Sequence, residues 1–187
     1  MPNKIKVTKQ DILETSLAIA RKDGIDSVNA RSIAKLLNCS TQPVYYHFPT
    51  MDELRQAIKL EARSLYNDYI SESKKVISEI PFKEAGMAFI QFASDEPNLF
   101  RILFMDNDSY EEGANEEIDD NYEYFISTII NGYHVSRDAA IHIYENVWIS
   151  THGLATMIVT GFMKFSKERI SKLLGDVFRG QLSVYGD

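Results

Sequence analysis

The chain has 187 residues, enough for one large domain or for a small domain joined to a medium-sized one. Its hydrophobic content of 44% is ample for a buried core, and no run approaches the roughly 20 apolar residues of a transmembrane helix. We therefore expect no membrane span. The single cysteine, Cys39, excludes an intramolecular disulfide, and no apolar segment of a signal peptide follows the lysines of the first nine residues. Both features predict a protein of the reducing cytoplasm.

The formal net charge of −7 is unevenly distributed along the chain. Residues 1–63 hold ten Lys and Arg against seven Asp and Glu, whereas the remainder holds ten against twenty. A basic N-terminal region on an acidic body is compatible with nucleic-acid binding by the basic part, because phosphates attract cations. It is equally compatible with an acidic surface that only keeps the protein in solution, so charge alone does not decide.

Long stretches with a 3.6-residue hydrophobic period, and no pairs of alternating strands, predict an all-α protein. Capping residues mark several boundaries: Thr8 with Asp11 at the first helix, whose end we expect at Gly24 as a left-handed cap, and Thr50 with Glu53 at the fourth. The predicted helices span residues 8–24, 30–37, 41–47, 51–75, 82–94, 97–105, 122–133, 136–161 and 166–185. The acidic stretch before residue 122 is expected to be a solvated loop.

Residues 29–48 have the spacing of a DNA-binding helix-turn-helix. Asn38-Cys39 forms the predicted turn, because asparagine tolerates the left-handed conformation, and Ser40 is expected to cap the second helix of the motif. Within that helix, Val44 and Phe48 should face inward. A compact three-helix unit with a polar surface also occurs without DNA binding, so the spacing leaves this alternative open.

The polar residues of the motif are those that DNA recognition needs. In the leading turn, the amide of Gln42 can bond adenine bidentately, and a threonine can donate, accept or contact a thymine methyl. Hydroxyl and imidazole donors suit phosphate oxygens, and cations on the preceding helix add ionic contacts. The predicted DNA-binding residues are Arg31, Lys35, Ser40, Thr41, Gln42, Tyr45, Tyr46 and His47.

The same region resembles a known family. Residues 29–54, NARSIAKLLNCSTQPVYYHFPTMDEL, are similar to the signature of the TetR (tetracycline repressor) family of bacterial regulators. The matching positions are Ile33-Ala34, Ser40, Val44-Tyr45, His47-Phe48, Thr50 and Leu54. The departures are Asn29 for a threonine, Asn38-Cys39 for Gly-Val, and Met51 for a lysine that contacts a phosphate in many members. Further along, Trp148 with His152-Gly153 resembles a WxxxHG element of some members.

The resemblance implies a three-helix DNA-binding head, residues 1–50, and a larger helical body for ligand binding and dimerisation, residues 51–187. It also implies a homodimer that reads a palindromic double-stranded DNA operator, in most members as a repressor. The last two helices would form a four-helix bundle with those of the partner, which fits their excess of apolar surface. The expected interface residues are Ile141, Val147, Met157, Ile158, Leu173, Leu174, Val177 and Phe178.

Members of the family usually hold a small molecule in the body, and here the body is rich in aromatic residues that could line an apolar pocket. Such residues at helical spacing also form ordinary core, and both interpretations stay open. For a small, largely apolar effector, the expected pocket residues are Phe89, Phe92, Phe104, Tyr122, Phe125, Trp148 and His152.

Other functions find less support. A metal site could use His134, His142 and His152, completed by Asp138 or Glu145, but His142 and His152 lie ten residues apart on one helix, so we expect neither metal nor cofactor. An enzyme is not expected, because the chain has no nucleophile elbow and no phosphate-cradling glycine loop. A DNA-binding regulator without a ligand, or one controlled by a partner protein, is the main alternative, and a fully packed body would favour it.

Overall fold

The computed structural model describes residues 7–75, 81–105 and 121–186. Within these ranges the chain is helical and contains no strand, which confirms the all-α class. A 3₁₀ turn at Ile25–Ser27 follows the first helix. The α-helices are α1 (Lys9–Asp23), α2 (Ala30–Leu36), α3 (Gln42–His47), α4 (Met51–Ser73), α5 (Pro81–Asp95), α6 (Pro97–Phe104), α7 (Tyr122–Tyr133), α8 (Arg137–Val159) and α9 (Lys167–Tyr185). The predicted acidic loop, residues 106–120, lies outside the described residues.

The predicted caps of α1 and α4 are confirmed. The backbone N–H of Asp11 donates to the Thr8 hydroxyl at 3.1 Å, and the backbone N–H of Thr8 donates to the Asp11 carboxylate at 2.8 Å. The Thr8 N–H and the Thr8 hydroxyl, which both donate to the Asp11 carboxylate, lower the pKa of Asp11. At α4, the Glu53 N–H donates to the Thr50 hydroxyl at 3.2 Å. Each cap satisfies amide donors that the first turn of a helix leaves without a partner.

Two helix ends differ from the prediction. Gly24 has a positive φ of 85°, but its ψ of 164° is extended, so it is not a left-handed cap; its chain leads directly into the 3₁₀ turn. Ser40 does not cap α3. The residue directly before this helix is Thr41, and its side chain makes no capping hydrogen bond. Pro43 in the first turn removes one N–H that a cap would satisfy, and the Val44 N–H donates to the Thr41 carbonyl at 3.1 Å.

Packing divides the described chain into two compact units. The first comprises residues 7–67 and 96–105, and the second comprises residues 68–75, 81–95 and 121–186. Residues 51–67 and α6 therefore pack with the N-terminal helices, which the expected boundary at residue 50 did not foresee. The side-chain amide of Asn98 in α6 donates to the carbonyls of Arg21 and Lys22 at 3.0 and 3.2 Å. A division by function at residue 50 stays a prediction.

The core of the first unit begins on α1, where Ile12, Ser16, Ile19 and Ala20 are buried. Ser16 is tolerated there because its hydroxyl donates to the Ile12 carbonyl at 2.6 Å. The core of the second unit is aromatic. The ring of Phe82 in α5 lies 5.1 Å from Phe125 in α7 and 5.5 Å from Tyr144 in α8.

Candidate nucleic-acid interface

Helix α3 has one buried and one exposed side. Val44 and Phe48, at its end, are 0% and 3% exposed, as predicted, and fix the helix in the core of the first unit. Gln42 is exposed, and Tyr45 and Tyr46 keep 51% and 80% of their side-chain surface. The short helix thus presents one amide and two phenol hydroxyls on the side away from its anchors.

The turn before α3 has the predicted geometry. Asn38 adopts the left-handed conformation with φ 50°. The backbone N–H of Cys39 donates to the Ala34 carbonyl at 3.0 Å and closes the turn against α2. As a result Ser40 is exposed and Thr41 half-buried at the leading end of α3. Ser40, Thr41 and Gln42, which are predicted DNA-binding residues, therefore lie together at one end of the helix.

Helix α2 carries the two predicted ionic contacts. Arg31 lies in its first turn and Lys35 in its last, and both are exposed. Their spacing of four residues places them on one face of the helix. The helix itself is fixed by Asn29, whose side-chain oxygen accepts from the Ser32 N–H at 3.0 Å.

His47 makes a bond within the first unit. Its Nε2 atom lies 3.2 Å from the Val7 carbonyl oxygen, and the side chain is half-buried. Because a carbonyl oxygen can only accept, Nε2 must carry the hydrogen in this bond. The ring also meets that of Tyr46 edge-on at 4.9 Å between centroids. His47, which was predicted to contact a phosphate, is therefore hydrogen-bonded to the segment before α1.

Sequence analysis overlooked Lys9, whose ammonium lies 5.0 Å from the centroid of the Phe48 ring. The two residues are far apart along the chain, so no local pattern connects them. A weaker signal was available, because the chain from Ser40 to Glu53 contains no lysine or arginine. A DNA-binding helix in such a segment needs cations from elsewhere in the fold.

Most residues predicted to line an effector pocket are core residues. Tyr122, Phe125 and Phe92 are 6%, 3% and 0% exposed. The ring of Tyr122 packs edge-on against that of Tyr144 at 5.0 Å. Phe104 belongs to the first unit. The predicted lining as a whole stays a prediction.

Three of the predicted residues do lie together in the second unit. The His152 ring is 5.1 Å from Trp148 and 5.9 Å from Phe89, measured between centroids. Trp148 and His152 are half-buried, whereas Phe89 is 5% exposed. Burial holds the pKa of His152 below its ordinary value of 6.5, so the imidazole is neutral at pH 7.

A surface pocket that the sequence did not predict lies where the end of α4 passes α5. It has a volume of about 510 Å³. Its lining combines three carboxylates with a tyrosine and small or amide side chains, namely Asp68, Tyr69, Glu72, Ser73, Glu84, Ala88 and Gln91. None of the predicted pocket residues belongs to it.

The predicted dimer residues divide by exposure. Val147, Leu174 and Phe178 are 2%, 1% and 1% exposed in the single chain, so they fill its own core and have little area left for a partner. Ile141, Ile158, Leu173 and Val177 are half-buried, and Met157 is 37% exposed. Further exposed apolar side chains on α8, α9 and the turn between them are Ile149, Phe162, Met163 and Val184.

In the parts of the chain that the structure describes, no helix is long and apolar enough to cross a membrane. Within the same residues, no three His, Cys, Asp or Glu side chains are grouped to hold a metal ion. His142, one of the residues weighed for a metal site, instead stacks on Tyr185 at 5.2 Å.

The helix-turn-helix and the exposed side of α3 define the class of DNA-binding transcriptional regulators, and comparison with known families identifies the family. The profile of bacterial regulatory proteins of the tetR family matches residues 12–58. The profile of the tetracyclin repressor-like C-terminal domain matches residues 82–177, just over half of the chain. The protein belongs to the TetR family, whose members are transcriptional regulators and not enzymes.

Solved structures share the fold over nearly the whole chain. A TetR-like regulator from Rhodococcus sp. RHA1 is 13% identical with a TM-score of 0.67, and 98% of each chain is covered. A TetR-family regulator from Mesorhizobium loti is 19% identical with a TM-score of 0.60 and 96% of each chain covered. A regulator from Saccharomonospora viridis, solved with choline, is 18% identical with a TM-score of 0.62, covering 91% of this chain and 95% of its own. No curated protein matches the sequence.

Proposed function

We propose that the protein is a transcriptional repressor that binds a palindromic operator as a homodimer and releases it when a small-molecule effector binds. The observation that carries the DNA-binding part is the two-sided packing of α3. The buried Val44 and Phe48 hold the helix rigidly, and its polar residues stay on the surface. Such a repressor acts on DNA and works in the cytoplasm.

In this proposal α3 enters the major groove with its leading turn forward. Gln42 reads a base edge, and Ser40 and Thr41 contact neighbouring bases. The hydroxyls of Tyr45 and Tyr46 donate to phosphates beside the groove, which positions the helix without reading sequence. Arg31 and Lys35 on α2 add the ionic, salt-sensitive part of the affinity.

The proposed dimer uses α8 and α9. Exposed apolar side chains on these helices and on the turn between them give this region a surface suited to a second copy. Ile149, Phe162 and Val184 are 61%, 76% and 69% exposed and support this assignment. Of the interface residues predicted from the sequence, the half-buried and exposed ones belong to the proposed interface. Val147, Leu174 and Phe178 instead pack inside the chain and support the helices.

The proposed effector is small and largely apolar. Of the predicted lining, the group of Phe89, Trp148 and His152 supports it best, because these rings meet where burial is incomplete. A neutral imidazole offers one donor and one acceptor without a fixed charge, which suits such a ligand. A solved relative was crystallised with choline, which is consistent with a small organic ligand in this family.

The close packing of Phe92, Tyr122 and Phe125 favours a second candidate, a regulator of the same kind that responds to a partner protein and has no effector. Trp148 distinguishes the two, because it is the only tryptophan of the chain. Titration with choline and with a panel of apolar compounds should change its fluorescence and weaken operator binding together. If neither changes with any compound, the second candidate stands.

Selection of duplexes from a random DNA pool tests the function itself. The expected result is an inverted repeat whose half-sites lie one helical turn or a multiple of it apart, about 10 bp or more between centres. A motif with one half-site only would contradict the dimeric operator. Failure to enrich any motif, even at low salt, would overturn DNA reading by α3.

A further inference from the structure

We propose that Lys9 binds a DNA phosphate at the C-terminal end of α3, and that His47 positions it by joining the segment before α1 to that helix. The proposal rests on the DNA binding by α3 proposed above. It adds one contact and one positioning residue to the predicted surface, and it gives His47 a role different from a phosphate contact of its own.

The first argument is the charge of the recognition segment. From Ser40 to Glu53 the chain has no lysine or arginine, and it ends in the acidic pair Asp52-Glu53. The next cation, Arg55, lies 3.3 Å from the Asp52 carboxylate. Duplex DNA carries one negative charge per roughly 1.7 Å of axis, so cations near either end of a helix in its groove strengthen binding. Without a cation from another element, the C-terminal end of α3 would meet phosphates with neutral and acidic groups.

The second argument is the position of Lys9, the first residue of α1. Its ammonium lies 5.0 Å from the centroid of the Phe48 ring, the residue directly after α3. Phe48 is 3% exposed and fixed in the core, whereas the Lys9 side chain is exposed. The aromatic face attracts the cation and limits where it can go, while leaving it open to solvent and to a phosphate.

The third argument is the connection through His47. Its Nε2 donates to the carbonyl of Val7 at 3.2 Å, and Val7 lies two residues before Lys9. The capping box of Thr8 then fixes the start of α1. The Asp11 carboxylate in the same turn accepts from the Thr8 hydroxyl at 2.7 Å. Together these bonds fix the position of Lys9 relative to α3. A lysine on a segment without such bonds would not be held in this position.

The test compares Lys9→Ala with Lys22→Ala, using the selected operator and a random-sequence duplex. Lys22 is also exposed and also on α1, but it lies in the last turn, at the opposite end of the helix. Each phosphate contact contributes about 0.9 to the slope of log affinity against log salt concentration. Because the dimer carries two Lys9 side chains, Lys9→Ala should reduce the magnitude of that slope by about 1.8 on both duplexes, Lys9→Arg should restore it, and Lys22→Ala should leave it unchanged.

The positioning role is tested at His47. His47→Phe keeps a ring but no donor, and should lose the same slope as Lys9→Ala, with no further loss in the double variant. His47→Gln keeps an N–H donor and should retain the wild-type slope, which also checks that any loss is not a folding defect. An unchanged slope in Lys9→Ala, or an equal loss in Lys22→Ala, would overturn the proposal. Absence of any enriched operator for the wild-type protein would instead be a failure of the proposed function.

Discussion

Polar side chains inside the second unit differ in how they tolerate burial. Thr151 is 6% exposed and donates its hydroxyl to the Val147 carbonyl at 2.7 Å, within its own helix. This avoids the cost of about 1–3 kcal/mol of a buried donor that makes no hydrogen bond. His152, one residue further, meets the rings of Phe89 and Trp148, and its protonated form is disfavoured by burial. Its charge state therefore links the stability of the body to pH.

The sign of that link can be measured by comparing wild type with His152→Gln. Because the folded-state pKa lies below 6.5, the unfolded chain binds this proton more readily once the pH falls below 6.5. The stability that wild type draws from neutral His152 is complete above pH 6.5 and is lost progressively below it. In urea unfolding at pH 7.5 and 5.5, the advantage of wild type over the variant should shrink at the lower pH. An advantage that grows at pH 5.5 would show that the imidazole is charged in the folded protein.

At the scale of helices, Gly86 allows α5 to approach its neighbours closely. A Cβ atom at this position would lie 3.0 Å from Cδ1 of Leu174 on α9 and 3.5 Å from the Thr151 hydroxyl on α8. Leu174 is 1% exposed, so it has little room to move. Glycine costs about 1 kcal/mol relative to alanine inside a helix, and here the close packing offsets that cost.

Gly86→Ala should therefore destabilise the protein despite its better helix propensity. Overpacking costs about 1–3 kcal/mol, against a gain of about 1 kcal/mol from propensity, so we expect a net loss of about 1 kcal/mol in urea unfolding. Gly132→Ala is the matched control. It lies within α7, where nothing is within 4 Å of the added Cβ, and it should gain about 0.5–1 kcal/mol. Equal effects of both substitutions would mean that the α5 packing is looser than described.

Helix ends were predictable where the signal is local. The capping pairs at Thr8 and Thr50 and the left-handed Asn38 follow from neighbouring residues, and all three are confirmed. Ser40 does not cap α3, whose first turn contains Pro43 and so lacks one of the N–H groups that a cap would satisfy. The packing of α6 against α1 through Asn98 was not predictable, because it joins segments far apart along the chain.

At the scale of the whole molecule, the proposed dimer depends on surface that a single chain leaves uncovered. Ile149→Glu should split the dimer, because it places a charge on a side chain that is 61% exposed and proposed to be buried by the partner. Leu60→Glu is the control, since Leu60 is 72% exposed on α4 in the other unit. Sedimentation at micromolar concentration should give half the wild-type mass for Ile149→Glu alone. A dimeric Ile149→Glu protein would place the interface elsewhere.

The buried and exposed sides of α3 could be predicted from the sequence, whereas the roles of the apolar residues in the body could not, for a physical reason. The spacing of Val44 and Phe48 indicates which side of this short helix is buried and which is exposed. In the body, apolar residues cover most faces of each helix, so the spacing does not tell core from pocket or interface. Tyr122 was predicted to line a pocket and Leu174 to lie in the dimer interface. Only the tertiary packing shows that both are buried within the chain.

The central claim, that a dimer reads DNA through α3, is tested most directly by repeating the duplex selection with Gln42→Ala. Loss of a bidentate amide contact should weaken binding to the wild-type operator by about 1–3 kcal/mol for each half-site and relax the base preference at one position of the half-site. In a symmetric dimer, that position must recur at the mirror-related place in the other half-site. An unchanged consensus, or a uniform loss of affinity on every sequence, would contradict base reading by Gln42 and with it the proposed orientation of α3.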